Sequence, residues 1–381
     1  MLPATKTHRF SLADVLPSCR ESVLGRDNRL ELDPVAKAIV LVVDGLGATA
    51  LKARAGHSRW LAPQLGPRST IAAGFPTTTA ASLATITTGQ TPGVHGLVGY
   101  TALDAGHDRV VNELSGWDDR LDPATWQRSR TVFEQAADDG LSSFVVGTEK
   151  YRNSGFTAAV LRGAEYRSGV TVADRLDEAR RILDAAGRCI VYVYAAELDK
   201  AAHAHGWQSR RWTAELESLD GAVGKFVSTL RKDEGLLVTA DHGVLDVPES
   251  AHILFDTAPG LLDGIRFVAG EPRCLQLHIE PDAGQAHREA LLERWRASEG
   301  SRSWVVSRSE AVESGWFGPV VDPQVVPRIG DILVAARKSV AYYDSRVAPP
   351  NGRSMVGQHG SWSHDEVAVP LLRFGAWASR G

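Results

Sequence analysis

Cysteine is scarce in this chain of 381 residues: Cys19, Cys189 and Cys274 lie far apart, are odd in number and form no Cys-x-x-Cys pair. Neither a disulfide framework nor a thiolate zinc site is expected from such a set. A charge excess is missing too. The formal net charge of −4 leaves no basic surplus for broad binding to nucleic acid or an anionic membrane. No apolar run reaches the length of a membrane span. Residues 1–14 hold no apolar core between a basic start and a small-residue cleavage site, so they do not read as a secretory signal. Internal repeats and low-complexity segments are absent. The expectation is a cytoplasmic protein, monomeric, with neither a membrane nor a nucleic acid polymer as partner. A small anionic ligand held by metal ions remains compatible with this charge.

What is present is a core. A hydrophobic fraction of 43% over this length suffices for one large domain, or one domain with an insertion. Continuous β-branched runs at 38–43, 189–194 and 235–240 read as strands buried on both faces, with shorter strands at 142–146 and 367–372. Helical spacing over 169–187 and a helix over 210–231 alternate with them. This alternation predicts an α/β fold, a three-layer sandwich around a mostly parallel central sheet. From residue 250 the character changes, with strands at 273–279 and 330–336 and a helix at 285–298. An inserted α+β cap over 250–348 is expected, leaving 1–249 and 349–381 as the core. Residues 101–130 show little periodicity and read as a loop beside the site.

Gly74-Phe75-Pro76-Thr77-Thr78-Thr79 delivers hydroxyls to the start of a small-residue helix, where backbone N–H groups and the macrodipole favour an anion. A threonine there can act as a phosphate-directed nucleophile if its hydroxyl pKa is lowered. Simple N-capping is the competing reading. Asp44 ends the first buried strand, before a Gly-rich turn, where open α/β sheets place ligands. Asp199 and His203 are four apart and face the same way on one helical turn. Asp241, His242 and Gly243 follow another buried strand. His359, flanked by Gly357 and Gly360, can approach an ion closely and is preferred over His364. Carboxylate oxygens with imidazole nitrogens suit Zn²⁺ or Mn²⁺.

In this order, the motifs are Asp44-Gly45, Phe75-Pro76 to Thr79 with Thr88-Gly89 to His95-Gly96, Asp199 to His203, Asp241-His242-Gly243 and His359-Gly360. They resemble the alkaline phosphatase superfamily, specifically its nucleotide pyrophosphatase/phosphodiesterase branch. The resemblance implies a phosphoric diester hydrolase with two divalent metal ions, Mn²⁺ or Zn²⁺. It assigns one ion to Asp44, Asp241, His242 and the Thr79 hydroxyl, and the other to Asp199, His203 and His359, with Thr79 as nucleophile. The family's asparagine three residues after the nucleophile is Ser82 here, and its hydroxyl is expected to serve in that stabilising role. The threonine turn, the segment from Val94 to Tyr100 and the cap resemble the cytosolic actinobacterial cyclic di-AMP phosphodiesterases. That likeness implies hydrolysis of cyclic di-AMP through linear pApA to AMP, with Tyr100 binding substrate and Trp117 also available to stack on adenine. The alternatives are another phosphoric-diester or phosphonate hydrolase of phosphonoacetate type, a phosphomutase of the same superfamily, and a non-catalytic nucleotide sensor.

Overall fold

The structure is a computed structural model that describes residues 2–3, 8–346 and 353–378. The expected boundary between cap and core at 348/349 lies outside the described residues. Through the two large sheets, strands are numbered in chain order: β1 (Lys37–Val43), β2 (Thr70–Ala72), β3 (Thr101–Asp104), β4 (Arg109–Asn112), β5 (Ser142–Gly147), β6 (Glu165–Ser168), β7 (Cys189–Ala195), β8 (Glu234–Thr239), β9 (Ile265–Glu271), β10 (Cys274–Ile279), β11 (Ser303–Ser307), β12 (Ile332–Ala336) and β13 (Ala368–Gly375).

Seven of them form one sheet in the order β2-β13-β8-β1-β7-β5-β6. From β8 to β6 every pairing is parallel. At the other end β13 and β2 run antiparallel. β1 sits in the middle, and all seven of its residues are buried. A strand covered on both faces needs an unbroken apolar run rather than alternation, and Ala38 to Val43 supplies it. One group of packed helices is Val172–Ala185, Glu197–His205 and Arg210–Val227, and a second is Val15–Leu24, Thr79–Thr88 and Val132–Asp138. Helix Val172–Ala185 starts on a capping box, Thr171 with Asp174, and buries Val172, Leu176, Ala179, Ile182 and Leu183. The sandwich is therefore the three-layer α/β fold expected.

The second sheet has six strands in the order β11-β12-β10-β9-β3-β4, all pairings antiparallel. Its strands β3 and β4 correct the reading of 101–130 as a loop. They are a hairpin of two four-residue strands, with Ala102, Asp104 and Val111 buried, that extends the sheet built by residues 265–336. Strands so short bury at most two side chains each, too few to register as a period-2 pattern. Helix Gln285–Glu299 covers one face with Leu291 and Trp295. On the opposite side, a cluster of Val98, Cys274, Trp316, Phe317 and Leu333 takes in Phe75 from the threonine turn. Phe75 stacks on Trp362 at 4.9 Å and meets Trp316 and Phe317 edge-on.

A buried ion pair also joins the two sheets. Arg273, just ahead of β10, donates through Nε and Nη2 to the two carboxylate oxygens of Glu366 at 2.7 and 2.8 Å, and neither side chain reaches solvent. Arg273 also donates to the carbonyls of Lys338 and Val340, while Glu366 accepts from Ser361 N–H. Every strong donor and acceptor of the pair is thus satisfied, the condition under which a buried pair holds its geometry.

Candidate active site

β7, β1 and β8 are neighbours, and their registers end together: Val43 pairs with Ala195, and Val42 with Thr239. Asp44, Asp199 and Asp241 follow these three strands and meet at one edge of the sheet, the crevice where open α/β folds bind ligands. Gly45 adopts φ +74, and a Cβ there would stand 3.0 Å from Asp199. The backbone turns back here because the residue has no side chain. Its N–H then donates to Asp241 Oδ1 at 3.2 Å.

The threonine turn arrives from the other side. Thr78 is the N-cap of helix Thr79–Thr88, yet its side chain makes no capping bond. Capping therefore does not explain the run of hydroxyls. Thr77 instead ties the turn to the last motif: its Oγ1 donates to Ser361 O and accepts from Gly360 N–H, and its carbonyl accepts from His359 Nδ1 at 2.8 Å. Thr79, in the first turn of the helix, places Oγ1 3.2 Å from His242 Nε2.

The expected ligand residues assemble as two groups, Asp44 with Asp241 and His242, and Asp199 with His203 and His359. Within each, the candidate ligand atoms lie within 4.8 Å of one another. The groups adjoin, since the His242 and His359 rings stack at 3.7 Å. All three imidazoles are oriented the same way. Nδ1 of His203 donates to Gly357 O at 2.8 Å, that of His359 to Thr77 O at 2.8 Å, and that of His242 to Gly243 O at 3.2 Å. A carbonyl only accepts, so Nδ1 carries the proton and Nε2 faces the site, as outer-shell carbonyls commonly arrange for metal-binding histidines.

The carboxylates test whether cations fit. Each has an oxygen that is buried and without a hydrogen-bond partner: Asp44 Oδ1, Asp199 Oδ1 and Asp241 Oδ2. Orphaned buried carboxylate oxygens are costly unless a cation meets them. Their electrostatics agree. Burial, then the charges of Asp241 and Asp199, push Asp44 well above the ordinary carboxylate range, against the Tyr194 hydroxyl. Burial raises Asp241 likewise, with Asp199 adding and His242 opposing. Burial also pushes Asp199 up, but His203, His359 and His242 outweigh it and hold this carboxyl low. His359 is lowered by burial and by His242, whereas Asp199 overrides burial at His203 and raises it. Three crowded carboxylates that repel one another, with aligned Nε2 atoms, match the donor set of two divalent ions.

The groups open into a cavity of about 950 Å³. Thr79, Tyr100 and Trp117 line it, with Leu83, Phe156, Leu161 and Tyr166 on its apolar wall. Ser82 is placed differently. It is buried in helix Thr79–Thr88 with its hydroxyl unpaired, and the cavity is lined from this helix by Thr79 and Leu83 instead. His364 lies outside both groups, at the start of the short helix His364–Val367. Sequence reasoning overlooked two polar residues here. Tyr194 donates its hydroxyl to Asp44 Oδ2, leaving Oδ1 free, and Glu271 lines the cavity from the end of β9. Tyr194 was hidden within an apolar strand run, where the second aromatic of Tyr-Val-Tyr was the only signal.

Fold and constellation together define a hydrolase of the three-layer α/β class, with a hydroxyl at a helix N-terminus beside two candidate cation-binding groups. The chain belongs to the type I phosphodiesterase / nucleotide pyrophosphatase family, whose profile matches residues 38–362, and it is a phosphoric diester hydrolase. No curated protein matches the chain in sequence. Among solved structures, murine ectonucleotide pyrophosphatase / phosphodiesterase 5, in its inactive T72A form in complex with AMP, superposes with a TM-score of 0.67 at 14% identity, covering 89% of this chain and 88% of that one. Phosphonoacetate hydrolase from Sinorhizobium meliloti, in complex with phosphonoacetate, gives a TM-score of 0.62 at 16% identity over 88% and 89% of the two chains. At these identities the likeness is one of fold. Among the described residues no helix is long and apolar enough to cross a membrane.

Proposed function

We propose that this enzyme hydrolyses cyclic di-AMP through linear pApA to AMP in the cytoplasm, with Thr79 as nucleophile and two Mn²⁺ or Zn²⁺ ions held by the two ligand groups. The observation that carries this reading is the cavity. It joins the carboxylate–histidine groups to an apolar, aromatic wall, and its volume of about 950 Å³ exceeds what a phosphonoacetate-sized substrate would fill. A cyclic dinucleotide presents a phosphodiester to the polar end and adenine bases to the other. The AMP bound by the murine neighbour supports a nucleotide as the ligand class.

On this reading Asp44, Asp241, His242 and Thr79 hold one ion, and Asp199, His203 and His359 the other. When bound, the ions supply Lewis-acid polarisation and a lowered hydroxyl pKa. The chain supplies the rest. Thr77 fixes both the threonine turn and His359, so nucleophile and ligand groups keep one geometry. Thr79, entering as its alkoxide, attacks phosphorus in line with the leaving ribose oxygen and forms a threonine-linked ester. The N-terminus of helix Thr79–Thr88 faces the phosphoryl oxygens with positive potential. Water then hydrolyses the ester and regenerates Thr79.

Chromatography of products from cyclic di-AMP, pApA, phosphonoacetate and a chromogenic phosphodiester tests the proposal. Conversion of cyclic di-AMP to pApA and AMP is expected, lost on chelation and restored by Mn²⁺ or Zn²⁺. Turnover of the chromogenic diester or of phosphonoacetate alone would remove the cyclic dinucleotide role. Binding without any turnover would make the chain a sensor.

A further inference from the structure

Each aspartate of the Asp44, Asp241 and His242 group has one oxygen tied and one free. Asp44 Oδ2 accepts from the Tyr194 hydroxyl, and Asp241 Oδ1 accepts from the backbone N–H groups of Gly45 at 3.2 Å and His242 at 3.0 Å. The free oxygens, Asp44 Oδ1 and Asp241 Oδ2, are the ones that face His242 Nε2, at 3.4 and 3.6 Å. The group therefore presents one oxygen from each carboxylate. Asp199 is arranged otherwise. Its Oδ2 lies 3.0 Å from His203 Nε2 and its Oδ1 3.9 Å from His359 Nε2, so both oxygens stay with the ligand atoms of their own group. Of the donors that tie Asp44 and Asp241, Tyr194 supplies the one side chain. Its own place is fixed twice: it pairs with Val42 in the register of β1 and β7, and its carbonyl accepts from Arg175 Nη1 at 2.6 Å.

We propose that Tyr194 is a positioning residue for metal choice. By holding Asp44 Oδ2 it makes the group selective for a small ion that takes few ligands, against a large one that gathers many oxygens. This rests on the two-ion reading above. Zn²⁺ is satisfied by about four ligands drawn from nitrogen, sulfur and carboxylate oxygen. Ca²⁺ takes about six to eight oxygens, and bidentate carboxylates are a common way to supply them. A carboxylate with one oxygen engaged by a phenol serves the first ion well and the second poorly. Outer donors of this kind orient a ligand and tune what it binds.

Tyr194→Phe keeps the ring, removes the hydroxyl and frees Asp44 Oδ2. Calorimetric titration of the metal-free protein, with Zn²⁺ against a competing chelator and separately with Ca²⁺, gives both affinities. The preference for Zn²⁺ over Ca²⁺ should narrow by about 10–100-fold at one of the two ions and stay unchanged at the other. Tyr192→Phe is the control, since it takes from the same strand a phenol hydroxyl that is buried without a partner. It should leave both preferences as they are in the unaltered protein. Narrowing by less than about tenfold, an equal loss of affinity for both cations, the same narrowing in Tyr192→Phe, or failure of Tyr194→Phe to fold would overturn the role. Each is what a hydroxyl with only a structural part would give. If the unaltered protein does not bind two Zn²⁺ ions, the two-ion reading itself fails; if it does and only the change in preference is missing, this inference alone fails.

Discussion

Thr79→Ala is expected to lower kcat on every phosphodiester substrate by at least about 10³-fold, the scale on which removal of a covalent nucleophile acts. The change should leave the fold untouched. Thr79 is nearly buried, but the N-cap position belongs to Thr78, and alanine is the best helix former. Its Oγ1 has His242 Nε2 as its partner at 3.2 Å. The alanine variant therefore loses a nucleophile and one candidate ligand atom while Asp44, Asp241 and His242 remain. Metal content by mass spectrometry and thermal unfolding should stay close to those of the unaltered protein. Thr79→Ser, which keeps the hydroxyl, should recover much of the rate. A Thr79→Ala protein with kcat within tenfold of the parent would show that water attacks directly.

The second large effect is one of stability. Arg273→Met strips the guanidinium from a pair in which both partners are fully buried and leaves the Glu366 charge with the backbone N–H groups of Ser361 and Ser363. Breaking a buried pair from one side costs about 3–5 kcal/mol, because the remaining charge stays desolvated. The loss should appear as a lower midpoint in chemical denaturation. Replacing both partners, as Arg273→Met with Glu366→Leu, removes the stranded charge and should recover a good part of the loss. The pair also braces the segment that carries His359, so metal affinity is expected to fall in the single variant. An Arg273→Met protein less than about 1 kcal/mol weaker than the parent would refute this, since that is the scale of a solvent-screened pair.

The sequence was most legible where one element sufficed to make the signal. β1, β7 and β8 are buried on both faces, so each announces itself by an unbroken apolar run, and the polar residue after each run lands at the sheet's edge. Asp44 and Asp241 could be picked out this way, and the i, i+4 spacing brought in Asp199 with His203. Legibility failed where position depends on a distant partner. β3 and β4 are too short to show a period and become strands by joining β9, some 160 residues later in the chain. Glu271 stands in an ordinary Glu-Pro-Arg stretch, and the second sheet brings it to Tyr100.

The central claim is that phosphorus passes through a covalent ester of Thr79. Stereochemistry reads this without requiring the intermediate to accumulate. A single diastereomer of an aryl ester of adenosine phosphorothioate would be hydrolysed in ¹⁸O-water and the configuration of the product determined. Two successive in-line displacements, at Thr79 and then at water, predict retention at phosphorus. Inversion would mean a single displacement by water, and would contradict the account.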